Sequence, residues 1–158
     1  YAGDALFENL ELVRTVRAGG GRDALALDIV VPRRPPTTGR FVEQRVRQAY
    51  DEWARPWRLV AQLLVLPAIA RWRGRAVVTV AVGSVAAAEA GRRRAGGRRV
   101  WPATASLWAP AWVAERAVTS WLALGARLRG GVKYRGGRLA LAANPVRRIR
   151  RRLAATSC

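Results

Sequence analysis

Three long apolar runs, each bounded by arginine, constrain this chain most. The first extends from Leu59 to Ala70, between Arg58 and Arg71-Trp72-Arg73. The second extends from Ala76 to Ala90, between Arg75 and Arg92-Arg93-Arg94. The third extends from Val100 to Ala126 and is interrupted by Pro102, Pro110 and the pair Glu115-Arg116. A helix needs roughly 20 apolar residues to cross a bilayer. The first two runs fall short, but flanking arginines snorkel and extend their reach. Trp57, Trp72, Trp101, Trp108, Trp112 and Trp121 lie in or beside the runs, as interfacial anchors do. The expectation is a set of membrane helices, the first interfacial and the others crossing.

The charge sharpens that expectation. The chain carries 29 basic against 10 acidic residues, a formal net charge of +19, yet 51% of its 158 residues are hydrophobic. A disordered basic tail is far less apolar, and a nucleic-acid binder of this charge seldom strings its apolar residues into uncharged runs. Basic stretches between apolar runs suit a bacterial cell-membrane protein whose catalytic part and polybasic tail are cytoplasmic, the tail drawn to anionic lipid. With the second and third runs crossing, however, the basic loop Arg92 to Arg99 lies outside, against the positive-inside rule. All basic residues but Lys133 are arginine, which fits a GC-rich genome and weakens any argument from arginine number alone. There is no histidine and one cysteine, Cys158, at the last position. Histidine-dependent triads and zinc sites are thereby excluded, so proton transfer falls to carboxylates.

Around the runs the pattern is mixed. Leu6, Leu10, Val13 and Arg17 fall at helical spacing, behind Asp4, Glu8 and Glu11, which suit the positive end of a helix dipole. Gly19-Gly20-Gly21 ends that helix, and Ala24 to Val31 reads as a short strand. A proline-rich loop over 32–40 precedes a charged helix over 41–55, with a break at Pro56. Near the end, residues 130–142 read as a hairpin around Arg135-Gly136-Gly137, followed by the polybasic stretch 147–152. The chain opens on Tyr1 without a signal sequence and reads as a piece of a longer protein.

Two stretches bear on chemistry: Phe7-Glu8-Asn9-Leu10-Glu11-Leu12 and Gln44-Arg45-Val46-Arg47-Gln48. Together with the runs that follow, and with Gly131-Val132-Lys133-Tyr134-Arg135-Gly136 near the end, they resemble the C-terminal part of membrane-bound family-2 glycosyltransferases of the ceramide glucosyltransferase-like or hopanoid-associated type. Those enzymes carry an acidic E-D-x-D/E-L motif, then Q-x-x-R-W, then membrane or interfacial helices, and close near G-x-x-x-W-R-G. The resemblance implies an α/β fragment ending a nucleotide-diphospho-sugar transferase domain over 1–55. Membrane or interfacial helices over 56–128 and a basic cytoplasmic tail with a hairpin over 129–158 follow.

The resemblance further implies inverting transfer of a sugar from a nucleotide-sugar donor to a lipid-type or membrane-associated acceptor. In such a reaction a carboxylate takes the acceptor proton, and a divalent metal (Mg or Mn) with arginine stabilises the leaving diphosphate. It gives Glu8 as candidate base, with Glu11 and Asp4 as substitutes, and Gln44, Arg45, Arg47 and Gln48 as donor or acceptor contacts. Two departures stand out: Asn9 occupies the usual base position, and Gln48 replaces the motif's tryptophan. The metal-binding D-x-D and any glycine-rich phosphate loop are absent, so the metal's ligands are expected outside this chain. Without the resemblance, Glu8 reads as a dipole-favouring acid and Arg47 as part of a solvated helix face. The alternatives are a non-catalytic basic membrane scaffold and, behind it, a nucleic-acid binder.

Overall fold

The computed structural model describes residues 6–24, 26, 29–31, 34, 36–94, 96–134 and 137–156. The described residues are mostly helical: α1 (Glu8–Ala18), α2 (Thr38–Tyr50), a 3-10 turn (Asp51–Ala54), α3 (Pro56–Arg92), a short α4 (Gly97–Val100), a second 3-10 turn (Ala103–Trp108) and α5 (Ala109–Leu128). The hairpin strands β1 (Val132–Tyr134) and β2 (Gly137–Leu139) and a final helix α6 (Val146–Thr156) complete the order.

The core forms where α2, α5 and the hairpin meet. Ala49, Tyr50, Ala123, Val132 and Ala142 are buried together, with Leu6, Val46, Trp53, Ala54 and Ala126 packed against them. The Tyr50 hydroxyl donates to the Ala140 carbonyl at 2.8 Å, which gives this buried phenol its partner. Arg127 donates to the same carbonyl and stacks over Trp53 at 5.6 Å.

A second centre joins the two ends. The Leu6 and Phe7 amides donate to the Leu141 and Ala142 carbonyls, and α1 then packs on α6. The buried Asn144 donates from its backbone N–H to Glu11 Oε2 and from Nδ2 to Glu11 Oε1, both at 2.8 Å. Arg14 completes the clasp by donating to the Asn144 carbonyl at 2.7 Å and to the Ala54 carbonyl at 3.1 Å.

The expected α/β architecture does not form. The only sheet among the described residues is the two-stranded hairpin, which pairs Val132 with Leu139, Lys133 with Arg138 and Tyr134 with Gly137. Ala24, Ala26, Ile29, Val30 and Val31, the described part of the expected strand, are irregular and largely exposed. An apolar run makes a strand only where another strand takes its amides, and among the described residues none pairs with it. The hairpin forms where its glycines suggested. Gly131 sits at φ 118°, and a Cβ there would collide with the Leu139 carbonyl oxygen.

The expected crossing helices are corrected too. None of the described helices is long and apolar enough to cross a membrane. The first two runs fuse into α3, but Arg73 takes φ 47° and ψ −124° and kinks the helix between them. Arg71, Arg73 and Arg75 cluster at that kink, so neither half gains a full apolar span. The third run divides at Pro102 and Pro110, and α5 carries Glu115 and Arg116 in its middle. Pro56, expected as a break, instead occupies the first position of α3, where its missing N–H costs nothing. α3 and α5 pack together, with the Ser120 hydroxyl donating to Gln62 Oε1 at 2.8 Å and Ser106 to Glu89 Oε2 at 2.9 Å.

Candidate functional site

The expected site residues separate into three places. Glu8 opens α1 and is exposed, and Asp4 lies outside the described residues. Glu11 is buried, and both of its oxygens are held by Asn144, so it is a structural carboxylate. On α2, Arg45 donates to Gln48 Oε1 at 2.8 Å and forms an ion pair with Glu115 of α5. Arg45 and Gln48 therefore act in the contact between α2 and α5, and Gln44 is half-buried on the same helix. Among the described residues of the set, Arg47 lines a groove between α2, α5 and the hairpin.

That groove measures about 890 Å³ and runs between α2, the end of α5 and the hairpin. Arg47 from α2, Arg129 just after α5, Lys133 from β1 and Arg138 from β2 line it with positive charge. Glu43, one turn before Arg47, is the single carboxylate of the lining. The Arg47 guanidinium lies 5.7 Å from the Tyr134 ring centre, which fixes the fork against the hairpin. Arg138 is steadied by a 3.1 Å bond to the Gly131 carbonyl. Val46, Leu122, Ala126 and Val132 form the apolar floor.

Lys133 and Arg138 are direct cross-strand partners. Like charges in that register repel, and Arg47 and Arg129 add to the same field. An anion lying between them converts the repulsion into attraction. Guanidinium forks and an ammonium suit phosphate oxygens in particular, because charge-assisted donors bind them at short range.

Behind the groove lies a buried ionic cluster. Asp51 follows α2, with Oδ1 buried and without a hydrogen-bond partner. Burial, with the adjacent Glu52 charge adding, pushes its carboxyl up to about 7, against the opposing pull of Arg116, Arg47 and Arg55. Arg116 is buried, stacks over Trp112 at 5.5 Å and leaves Nε and Nη1 without partners. Burial, and next to it the Arg45 charge, hold its guanidinium below the usual arginine range. A second depression, of about 700 Å³, lies by the end of α3. Nearby, Glu89 accepts from Arg92, Arg93 and Ser106 and offsets one of the positive charges of this arginine-rich stretch.

The divalent metal that the resemblance implies does not fit these residues. Among the described residues no three potential ligands gather, and the groove sets one carboxylate against four cations. Sequence reasoning missed Glu43, Arg129, Lys133, Tyr134 and Arg138 as members of one site. The signal was faint: the sole lysine sits in a hairpin strand opposite an arginine.

No protein-family model, no curated protein and no solved structure matches the chain. The glycosyltransferase resemblance therefore rests on the quoted motifs alone. Of these, two reach the cationic groove: the Gln44–Gln48 stretch through Arg47, and the Gly131–Gly136 stretch through Lys133 and Tyr134.

Proposed function

We propose that the groove between α2, α5 and the hairpin binds the diphosphate of a nucleotide-sugar donor, and that the protein serves inverting transfer of the sugar to a lipid-type acceptor. The observation that carries this reading is that Arg47, Arg129, Lys133 and Arg138 all belong to the lining of one groove, with Lys133 and Arg138 direct cross-strand partners. Such an arrangement is unfavourable when empty and favourable around a polyanion.

The chemistry follows from what the groove holds. As the acceptor hydroxyl attacks the anomeric carbon, the bond to the diphosphate breaks and the leaving oxygen takes its electron pair. Arg47 and Lys133 stabilise that growing charge. The acceptor proton needs a carboxylate, and Glu43 is the one in the lining. It takes the role that the motif suggested for Glu8, since Glu11 is committed to Asn144. A hydroxyl-bearing lipid suits the apolar floor formed by Leu122 and Val132.

The test is calorimetric titration of the intact protein with a nucleoside diphosphate sugar and with pyrophosphate. The expected result is saturable binding in which pyrophosphate competes and the uncharged nucleoside does not. Arg47→Ala is expected to weaken binding by about tenfold or more, the loss of a charge-assisted contact. Glu43→Gln is expected to keep binding and to abolish sugar transfer. Absence of saturable binding, or an unchanged affinity in Arg47→Ala, overturns the assignment.

A further inference from the structure

The helix α6 presents a face rich in exposed arginine. Its apolar side, Val146, Ile149 and Leu153, falls at helical spacing, and Ile149 is buried where α6 packs on α1. Arg147, Arg148, Arg150, Arg151 and Arg152 all remain exposed on the other side. The helix is not a loose tail. Asn144, just before it, is locked to Glu11, and Arg14 holds the Asn144 carbonyl. The arginine face is therefore presented in a fixed direction.

The same Arg14 guanidinium also holds the Ala54 carbonyl, at the entry to α3. The start of α6 and the start of α3 are thus neighbours on the surface. There Trp57, Val60 and Leu64 recur at helical spacing and stand 73%, 53% and 58% exposed. Farther along, Trp72, Trp108 and Trp121 are also exposed. Exposed apolar area on this scale marks an interaction surface. Exposed arginines accompany it around the kink, at Arg71, Arg73 and Arg75, whereas Arg58 is paired with Glu52 and Arg55 stacks over Phe7.

We propose that this surface docks on an anionic lipid membrane. The arginines of α6 meet the headgroups, and the tryptophans of α3 enter the interfacial layer without the helix crossing. Tryptophan rings are apolar bodies with a polar N–H and prefer that layer. Arginine stems lie along apolar surface while their heads reach phosphate. A polybasic helix is drawn to anionic headgroups, and the exposed rings beside it add apolar contact with the interfacial layer. Nucleic acid would satisfy the arginines but leave the tryptophans and valines of α3 uncovered.

The test is flotation of the full chain with vesicles of phosphatidylcholine alone and of equal parts phosphatidylcholine and phosphatidylglycerol. The expected result is binding at least about tenfold tighter to the anionic vesicles, weakened but not abolished by salt. Replacing Arg147, Arg148, Arg150 and Arg151 by glutamine is expected to lower binding by about tenfold or more. Trp57→Ser lies outside α6 and leaves that helix intact. It is expected to lower binding several-fold on its own, and brominated lipid is expected to quench the wild-type tryptophan emission.

Equal binding to both vesicle types, or no binding to either, overturns the proposal. So does a nucleic-acid fragment that displaces the vesicles while the tryptophans stay open to aqueous quencher, or a lipid-free dimer that shields Trp57. Arg47→Ala separates the two readings: it is expected to lose diphosphate and to keep the vesicles.

Discussion

Tyr50 and Trp57 are near neighbours in sequence and meet opposite surroundings. Tyr50 is fully buried, with its hydroxyl bonded to Ala140, whereas Trp57 stands 73% exposed at the head of α3. The contrast extends to the regions that hold them. The part built from α1, α2, the hairpin and α6 is highly charged in sequence, yet it holds the Glu11–Asn144 clasp and most of the packed core, which α5 completes with Ala123 and Ala126. The pair α3 and α5 is the most apolar in sequence, yet much of its apolar surface faces outward. Apolar content and burial are thus separate properties. A run is buried only where partners exist to cover it, and a polar residue is buried where every donor and acceptor finds a match.

Four substitutions break or sharpen that contrast. The largest effect is expected in the charged region. Glu11→Ala strips two buried donors of Asn144 and is expected to cost about 3 kcal/mol, read as a lower urea midpoint. An unchanged midpoint contradicts the clasp. Gly131→Ala places a Cβ against the Leu139 carbonyl at a positive φ. A loss of about 2–3 kcal/mol is expected, with the hairpin amides losing exchange protection first.

The third concerns Asp51, whose carboxyl is pushed from the ordinary 3.8 up to about 7. The folded state then holds the proton more tightly than the unfolded chain. Its contribution is fully present below about pH 4 and is lost as pH rises through about 7. Asp51→Asn is expected to flatten that slope and to stabilise the protein at pH 8 by about 1–2 kcal/mol, a figure reduced for solvent screening. Unfolding curves at pH 5 and pH 8 decide it. The smallest effect is expected in the apolar pair: Trp57→Ser should change stability by less than about 0.5 kcal/mol. A large loss there means that the exposed ring is part of the fold.

The sequence made the local parts of the fold readable. Leu6, Leu10 and Val13 marked α1 to within two residues, because helical spacing is a property of one segment. The glycines at 130, 131, 136 and 137 marked the hairpin in the same way. The strand expected at Ala24 to Val31 failed because strand formation depends on a partner elsewhere. The apolar runs were correctly located, but their continuity was not. The fusion of two of them across a kink at Arg73 depends on packing against α5.

The candidate site was readable only at Arg47. Arg129, Lys133 and Arg138 join it from a region more than 80 positions away, through hairpin register and the seat of α5 on α2. No local pattern announces such a meeting. Glu11 illustrates the reverse case. An acid at a helix start suggested chemistry, and the long-range contact with Asn144 gave it a structural task.

The central claim is that the chain's repelling cations converge to hold a diphosphate. Amide hydrogen exchange of the full chain, with and without pyrophosphate, tests it most directly. The account predicts slowed exchange along α2 around Glu43–Arg47 and in the hairpin strands, with α3 and α6 unchanged. Unaltered exchange at α2 and the hairpin, or protection confined to the arginines at the end of α3, would contradict it.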